Sequence, residues 1–455
     1  MIRATTGGVL KSYRANLMNS FISMNKSRDT VLSQRNFNSY AEDPAAAAKA
    51  FRLRKSRMTV DSQHSICSDT LKKYQTAYSC LQSMDEIIDT KGSDMTTLKE
   101  ATLEWLDDPK GDAREQLSKV LDRMSEILVQ NMNQKYGDNF IFAGADGHNV
   151  PFEIKDHKLY YRGVSVDAAI PNVMGTKEAD GSVTPLEVDP ATNLATPNGG
   201  SYVKMDTSAL VSKDDFDAAI AADPTAVGNY LMTDNTAGAE KHQAFDSKGN
   251  VVDPDTYTGD IYYLDMTKAE TMTVEEYDAQ KLEAEKLEYL KNEKYYVDIG
   301  LGFQEDKNGN LIPSSGFNAA LNGINFFGCG LDEDGDPKNI YSIVQKLTEI
   351  SDSVSEGGGW GSVYDEFKRL VGKLETASSN FKTEFTNMAA STTKLENNEK
   401  LLEDNFYNLQ EQYAALEDVD MVDSITSFIW AQYCYNAALK VGNNVLSESL
   451  MDYLR

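Results

Sequence analysis

Two acidic turns are the segments of this chain whose residue types come nearest to chemistry. Asp332-Glu333-Asp334-Gly335-Asp336 sets four carboxylates in five residues, and Asp306-Lys307-Asn308-Gly309-Asn310 alternates carboxylate and amide oxygens around a glycine. Oxygen ligands at that spacing suit a hard divalent cation such as calcium. The helix–loop–helix calcium pattern also requires glycine at the sixth position and glutamate at the twelfth, and neither stretch supplies both. Acidic turns with a glycine are equally the common connectors of β-hairpins. On this reading the chain has no metal ligand and the turns are structural.

Other chemistries fare no better. GxxxxGK[ST] and GxGxxG do not occur; Gly300-Leu301-Gly302 lacks a third glycine and follows no strand–helix–strand pattern. No GxSxG elbow is present. His64, His148, His157 and His242 have no metal-like spacing, and the 71 acidic residues single out no carboxylate pair for hydrolysis. Cys67, Cys80, Cys329 and Cys434 form neither a CxxC nor a Cys/His cluster. Cys67 and Cys80 fall on one expected helix, about 20 Å apart at the helical rise, too far for a disulfide. All four are read as free thiols packed as small hydrophobes. The reading is of a non-enzyme with no catalytic residue, no cofactor-binding residue and no cofactor.

Charge narrows the partners. The 455 residues carry a net charge of −27, which disfavours nucleic acid and anionic membrane surfaces. The charge is uneven: residues 1–60 hold eleven Lys/Arg against three Asp/Glu, a net of +8, so the remainder carries −35. A basic leading segment on an acidic body suits acidic partners or its own C-terminal end. Met1 to Gly8 has no apolar core of a signal peptide. The most apolar window, Ile425 to Val441, is interrupted by Gln432, Asn436 and Lys440 and is no membrane span.

The elements that would position any site are mostly helical. Leu10, Tyr13, Leu17, Phe21 and Met24 step by 3, 4, 4 and 3 in a helix running toward Asn36–Tyr40. Glu42-Asp43-Pro44 ahead of Ala45 to Ala48 is a helix start. In the long helix that follows, Leu71, Tyr74, Tyr78, Leu81, Asp85 and Ile88 hold a heptad with one polar break. Gly92 and Asp107-Asp108-Pro109 punctuate, and a third helix carries Leu117, Leu121, Met124 and Leu128. Helix returns at Asn339-Ile340. Val363, Phe367, Leu370, Leu374, Ala377 and Phe381 alternate steps of 4 and 3, and one four-residue step reaches Phe385. Met388, Thr392, Leu395, Glu399, Leu402, Phe406, Leu409, Tyr413 and Leu416 then resume the alternation, as in a long packed or coiled helix with a single stutter. The aromatics on this stripe are read as packing residues, and Gly357–Gly361 as a flexible joint. Val422 to Leu454 forms the last helix.

Between the helical ends the pattern changes. Phe140–Gly144 reads as a short strand ending in a turn. From Pro151 to Tyr263, β-like runs such as Lys158–Tyr161 and Tyr202–Met205 alternate with turns at Asp180-Gly181, Pro197–Gly200 and Lys248–Asn250. Asp214–Tyr230 has room for a helix, Thr273–Lys291 reads as a charged helix, and Tyr295–Phe303 with Leu311–Phe317 as a hairpin around Asn308-Gly309. The expected fold is mainly α with an inserted β-rich domain, the N- and C-terminal segments making a long antiparallel helical bundle or coiled coil. Expected boundaries are 1–42, an N-terminal assembly helix; 43–145, the N-terminal part of a helical rod; 146–300, the inserted β-rich outer domain; 301–420, a hairpin and the C-terminal part of the rod; and 421–455, a C-terminal assembly helix.

Three segments carry a family likeness. Asn36-Phe37-Asn38-Ser39-Tyr40-Ala41-Glu42-Asp43-Pro44-Ala45-Ala46-Ala47-Ala48-Lys49-Ala50 resembles a segment of bacterial flagellar axial proteins. Flagellins usually read Asp-Asp-Ala-Ala-Gly there, whereas the hook-associated protein 3 family (hook–filament junction proteins, FlgL type, in the flagellin superfamily) reads Asp-Asp-Pro-Val-Ala-Ala-Ala, and Pro44 favours the junction family. Tyr136 to Gly144 followed by Pro151-Phe152 is similar to that family's Gly-x-Tyr-Leu-Phe-Ser-Gly…Pro-Phe element. Tyr435-Asn436-Ala437-Ala438-Leu439-Lys440 and Ser449 to Leu454 resemble its Tyr-Gln-Ala-Ser-Leu…Ser-Leu-Leu-Asp-Tyr-Leu ending. The likeness covers the two helical ends; the middle resembles nothing known, and four cysteines depart from a family poor in them.

The resemblance implies a flagellin-like structural molecule, secreted through flagellar type III export to the extracellular flagellum, where it joins the hook to the filament. Its implied partners are hook-associated protein 1, flagellin, further copies of itself in a ring, and an export chaperone. The terminal helices become the assembly interface, through Leu10, Tyr13, Leu17, Phe21, Met24, Ile425, Ile429, Leu446, Leu450 and Leu454. Isolated amphipathic helices are marginal without partners, so such binding couples to folding. Competing readings are a flagellin filament subunit, a secreted adhesin or metal-dependent hydrolase using the middle domain, and a cytoplasmic coiled-coil scaffold.

Overall fold

The computed structural model describes residues 6–37, 39, 41–89, 97–107, 113–179, 182–234, 241–332, 334–355 and 360–453. Its contacts divide the chain into two compact units. The first comprises Met1–Lys72, Tyr296–Phe317 and Ser391–Arg455; the second comprises Lys73–Tyr295 and Asn318–Ala390. Helices α1 (Thr6–Ser33), α2 (Pro44–Ile88), α3 (Leu98–Asp107) and α4 (Ala113–Met132) lead the chain. Short α5 (Lys213–Ala222), charged α6 (Val274–Lys291) and one-turn α7 (Gly323–Phe327) follow, and α8 (Ile340–Ser355), α9 (Trp360–Glu417) and α10 (Met421–Tyr453) close it.

In the first unit the two ends pair antiparallel. Phe21 of α1 meets Tyr435 of α10 with ring centroids 5.6 Å apart. Tyr13 packs its phenol where a Cβ on Gly442 would stand, so only glycine lets the two helices approach there. The loops leaving α1 and α9 clasp each other: Asn36 donates its backbone N–H to Glu417 O at 2.8 Å and its side-chain amide to Leu416 O and Asp418 O at 3.1 and 3.0 Å. Asp43 caps α2, its carboxylate accepting the N–H groups of Ala45 and Ala46 at 3.1 and 2.9 Å, the role that its place before Pro44 predicts. Ala47, Ala50, Cys67 and Leu71 of α2 and Leu395 and Leu402 of α9 are buried in this unit.

In the second unit most steps of the expected heptads are buried, but Tyr78 is exposed and Val363 half-buried. Tyr74, Leu81, Met84 and Ile88 of α2 and Phe367, Leu370, Leu374, Ala377 and Phe381 of α9 line the core, together with Trp105 of α3, which stacks 4.0 Å from Phe367. Asp85, the polar break in the heptad, faces Lys382 at 3.9 Å, while Asp89 one turn on accepts from the same ammonium at 2.5 Å. A charged pair at a core position fixes the register in which α2 and α9 pack. Gln345 of α8 donates to Asp122 and Ser125 of α4 at 2.9 and 3.1 Å, a buried polar seam between those helices.

Residues 152–273 are strand-rich and also belong to this second unit. A six-stranded sheet runs in the order 241–242, 232–234, 194–195, 187–189, 201–203, 271–273, and a three-stranded sheet in the order 210–212, 262–264, 244–245. Met174, Val188, Val203, Ala209, Leu231, Phe245 and Leu264 form its own apolar core. This is the β-rich insertion in a mainly α chain that the alternating runs predict.

Several local expectations are corrected. α3 is a separate helix, opened by reciprocal bonds between Thr97 and Glu100 (Glu100 N–H to Thr97 Oγ1, 3.2 Å; Thr97 N–H to Glu100 Oε2, 3.4 Å), a Thr-x-x-Glu capping box ahead of the Asp107-Asp108-Pro109 break. Phe140–Gly144 is not a strand along its length: Asn139–Phe140 pairs with Lys135–Tyr136, and the chain then turns. Trp360 and Gly361 lie inside α9, not in a joint; Gly357–Gly359 and the Asp180-Gly181 turn lie outside the described residues. Cys434 is exposed rather than packed, because it points away from the face that α10 turns to α1, while Cys67 is buried and Cys80 and Cys329 are half-buried.

Candidate assembly interface and the acidic turns

The two acidic turns prove to be one device used three times. Asp246-Ser247-Lys248-Gly249-Asn250, Asp306–Asn310 and Asp332–Asp336 share a hydrogen-bond pattern. In each, the aspartate N–H donates to the carbonyl four residues on (2.9, 2.8 and 2.8 Å), and the glycine N–H returns to the aspartate carbonyl (3.1 Å in all three). The glycine φ values are 79°, 80° and 79°, the left-handed region that glycine occupies without steric cost. The leading carboxylate accepts backbone N–H groups two and four residues ahead, at 2.8 and 2.9 Å from Asp246, 2.7 and 2.9 Å from Asp306, and 3.0 and 2.9 Å from Asp332. The aspartate and glycine in this pattern therefore serve the turn itself.

The third turn differs in carrying extra carboxylates. Asp332, Asp334 and Asp336 bring oxygens within 4.8 Å of one another. Protein cations already fill the space among them: Lys373 Nζ donates to Asp332 at 2.5 Å and to Asp334 at 2.7 Å, and Arg369 and Lys346 reach buried Asp336 at 3.3 and 3.5 Å. Burial pushes the Asp332 carboxyl upward, but the Lys373 bond and the turn's own N–H groups hold it below the ordinary aspartate value. Hydrogen bonds to the same carboxylates hold Lys373 above the ordinary lysine value. The charges that looked like a calcium loop tie the turn to α8 and α9.

The expected assembly residues lie on α1 and α10. Leu10, Phe21, Ile425 and Ile429 are exposed, while Tyr13, Leu17 and Met24 are half-buried. Leu446 and Leu450 fall within α10 with their side chains outside the described set, and Leu454 lies outside the described residues. Met18 and Ile22 of α1 and Val422, Trp430, Tyr433, Leu439 and Val441 of α10 are exposed as well; these the stepwise periodicity did not pick out, because they flank the stripe on which it was read. Large apolar side chains thus stand exposed along both helices of the pair. At its base, Glu417 is 5% exposed and receives Arg35 at 3.2 Å and Arg54 at 3.6 Å, so the basic leading segment does meet the C-terminal half. Among the described residues no helix is long and apolar enough to cross a membrane.

The two helical ends therefore pair antiparallel and leave apolar flanks in solvent. The chain is similar in structure to a flagellar hook-associated protein from Vibrio parahaemolyticus at 9% identity, covering 83% of this chain and 100% of that one, with a TM-score of 0.41. It is also similar to FlgL from Xanthomonas campestris (11% identity, 79% and 99% covered, TM-score 0.29) and to the flagellar junction protein FlgL from Legionella pneumophila (11%, 76% and 97%, 0.25). No protein-family model matches the chain, and no curated protein matches it by sequence.

Proposed function

We propose that the chain is a structural subunit of the bacterial flagellum that joins the hook, through hook-associated protein 1, to the flagellin filament. The observation that carries this reading is the antiparallel α1–α10 pair with its exposed apolar flanks. Such a pair stays marginal alone and gains stability from neighbours along an axis. The residues of likeness support it: Asp43-Pro44 opens α2, Phe140–Gly144 turns the chain toward the strand-rich insertion, and Ser449–Tyr453 falls within α10. On this reading the chain is exported to the cell exterior, assembles as a ring, and acts by binding rather than by catalysis.

The test uses purified full-length chain. It stays short of long filaments on its own and binds hook-associated protein 1, and removal of residues 1–30 or 425–455 leaves a folded soluble core that no longer incorporates. Self-polymerisation into long filaments would overturn the junction role in favour of a flagellin.

A further inference from the structure

The first unit carries two more faces with exposed apolar side chains, on α2 and α9. On α2, Phe51, Lys55, Met58, Ser62 and Ile66 step by 4, 3, 4 and 4 along one side of the helix, and all five are exposed. Phe51 and Met58 are 58% and 61% exposed, and Arg52 and Lys55 beside them are exposed and make no ion pair among the described residues. On α9, Leu401, Asp404, Tyr407 and Glu411 step by 3, 3 and 4 on the side opposite buried Leu402. Leu401 and Tyr407 are 56% and 60% exposed, and Glu403, Asp404 and Glu411 are exposed with no cation opposite them among the described residues.

The two faces are complementary in pattern. One reads apolar–cation–apolar (Phe51, Lys55, Met58) over about 10 Å, the other apolar–anion–apolar (Leu401, Asp404, Tyr407) over about 9 Å, at the helical rise. Arg54 on the same helix is instead held within the unit, by Glu417 and by Tyr413, whose hydroxyl accepts at 2.6 Å. Large apolar side chains interleaved with unpaired charges of one sign fit a surface with the same apolar spacing and the opposite sign. This chain displays both halves.

We propose that the α2 face of one copy docks on the α9 face of a second copy. Because the two surfaces differ, the contact is heterologous: it runs head to tail and generates a ring or an open helical array, not a two-fold dimer. The proposal deepens the self-association within the assembly role above and rests on that reading for its setting, while its residues are tested independently of the flagellum.

Full-length chain labelled with heavy nitrogen is mixed with unlabelled chain and treated with a zero-length carbodiimide, which couples a lysine amine to a carboxylate in direct contact. Mixed-isotope peptides joining Lys55 to Asp404 or Glu411 are expected. Lys55→Glu with Arg52→Glu, or Asp404→Lys with Glu411→Lys, should each lower self-association at least tenfold by sedimentation. A mixture of the two variants should regain a 1:1 complex, since each keeps the half the other lost. Absence of intercopy links at millimolar chain, links confined to other segments, or variants that associate like the parent would overturn the proposal. Failure of the chain to appear in flagella, with the intercopy links present, would instead strike the assembly role and leave this contact standing.

Discussion

Gly144 offers the sharpest test of how the second unit is built. Its φ is +71°, and a Cβ there would stand 2.6 Å from Asn322 Oδ1 and 2.7 Å from Glu293 Oε2. Neither oxygen is free to retreat. Glu293 Oε2 accepts from Ala145 N–H at 3.0 Å and from Arg162 at 2.6 Å, and both partners of that ion pair are largely buried. The Asn322 amide donates to Lys291 O and Glu293 O, both at 2.9 Å. Gly144→Ala therefore costs about 1–2 kcal/mol for a left-handed alanine and about 1.5–3 kcal/mol for loosening charge-assisted hydrogen bonds. The sum, about 2.5–5 kcal/mol, corresponds to a Tm lower by roughly 5–20 °C at about 2–4 °C per kcal/mol. Gly163→Ala is the control: its φ is +83° but a Cβ there meets nothing within 4 Å, so only the backbone cost applies. Scanning calorimetry of both variants separates the two contributions. Equal losses at Gly144 and Gly163 would refute the contact argument and the joint it describes.

Gly442→Leu should unpair α1 from α10 by displacing Tyr13, seen as lost helicity in circular dichroism with the strand-rich region unchanged; retained helicity would contradict the pairing. Gly372→Ala, on α9 with open space around its Cβ, should stabilise the chain by about 0.5–1 kcal/mol in a urea titration. Asp89 is held below its ordinary value of 3.8, chiefly by its hydrogen bond from Lys382, against some burial. Its contribution is therefore full above that value and is lost as pH falls through the lower folded value. Burial raises Asp167 instead, against its bond from Ser342, so its ionisation weakens the fold as pH rises past 3.8 and Asp167→Asn should remove that loss without affecting the acid limb. Cys434 should react with a thiol reagent in the native chain while Cys67 waits for unfolding.

Helical elements were legible because burial enforces a period. Phe367 to Phe381 and Met388 to Leu402 point inward at every step read from the sequence apart from half-buried Phe385 and Glu399, and Asp43-Pro44 marked a helix start through backbone chemistry alone. The Asp85 break was visible, but its partner Lys382 lies 297 positions on, and no periodicity relates the two. The acidic turn was ambiguous for the same reason: calcium loops and hairpin turns both use aspartate and glycine, and Lys373, Arg369 and Lys346, which pair with its carboxylates, are brought in by folding. The assembly stripe was read from core-like spacing, so it captured the α1 residues that face inward, such as Tyr13 and Leu17, and passed over exposed Met18, Trp430 and Tyr433.

The junction role proposed for the paired helical ends is open to direct measurement. It is tested most directly by quantitative mass spectrometry of purified flagella whose filaments have been sheared to different lengths. A junction subunit is expected at a small number of copies per flagellum that does not change with filament length, beside flagellin that does. Abundance rising in proportion to filament length, or absence of the chain from flagella, would contradict it.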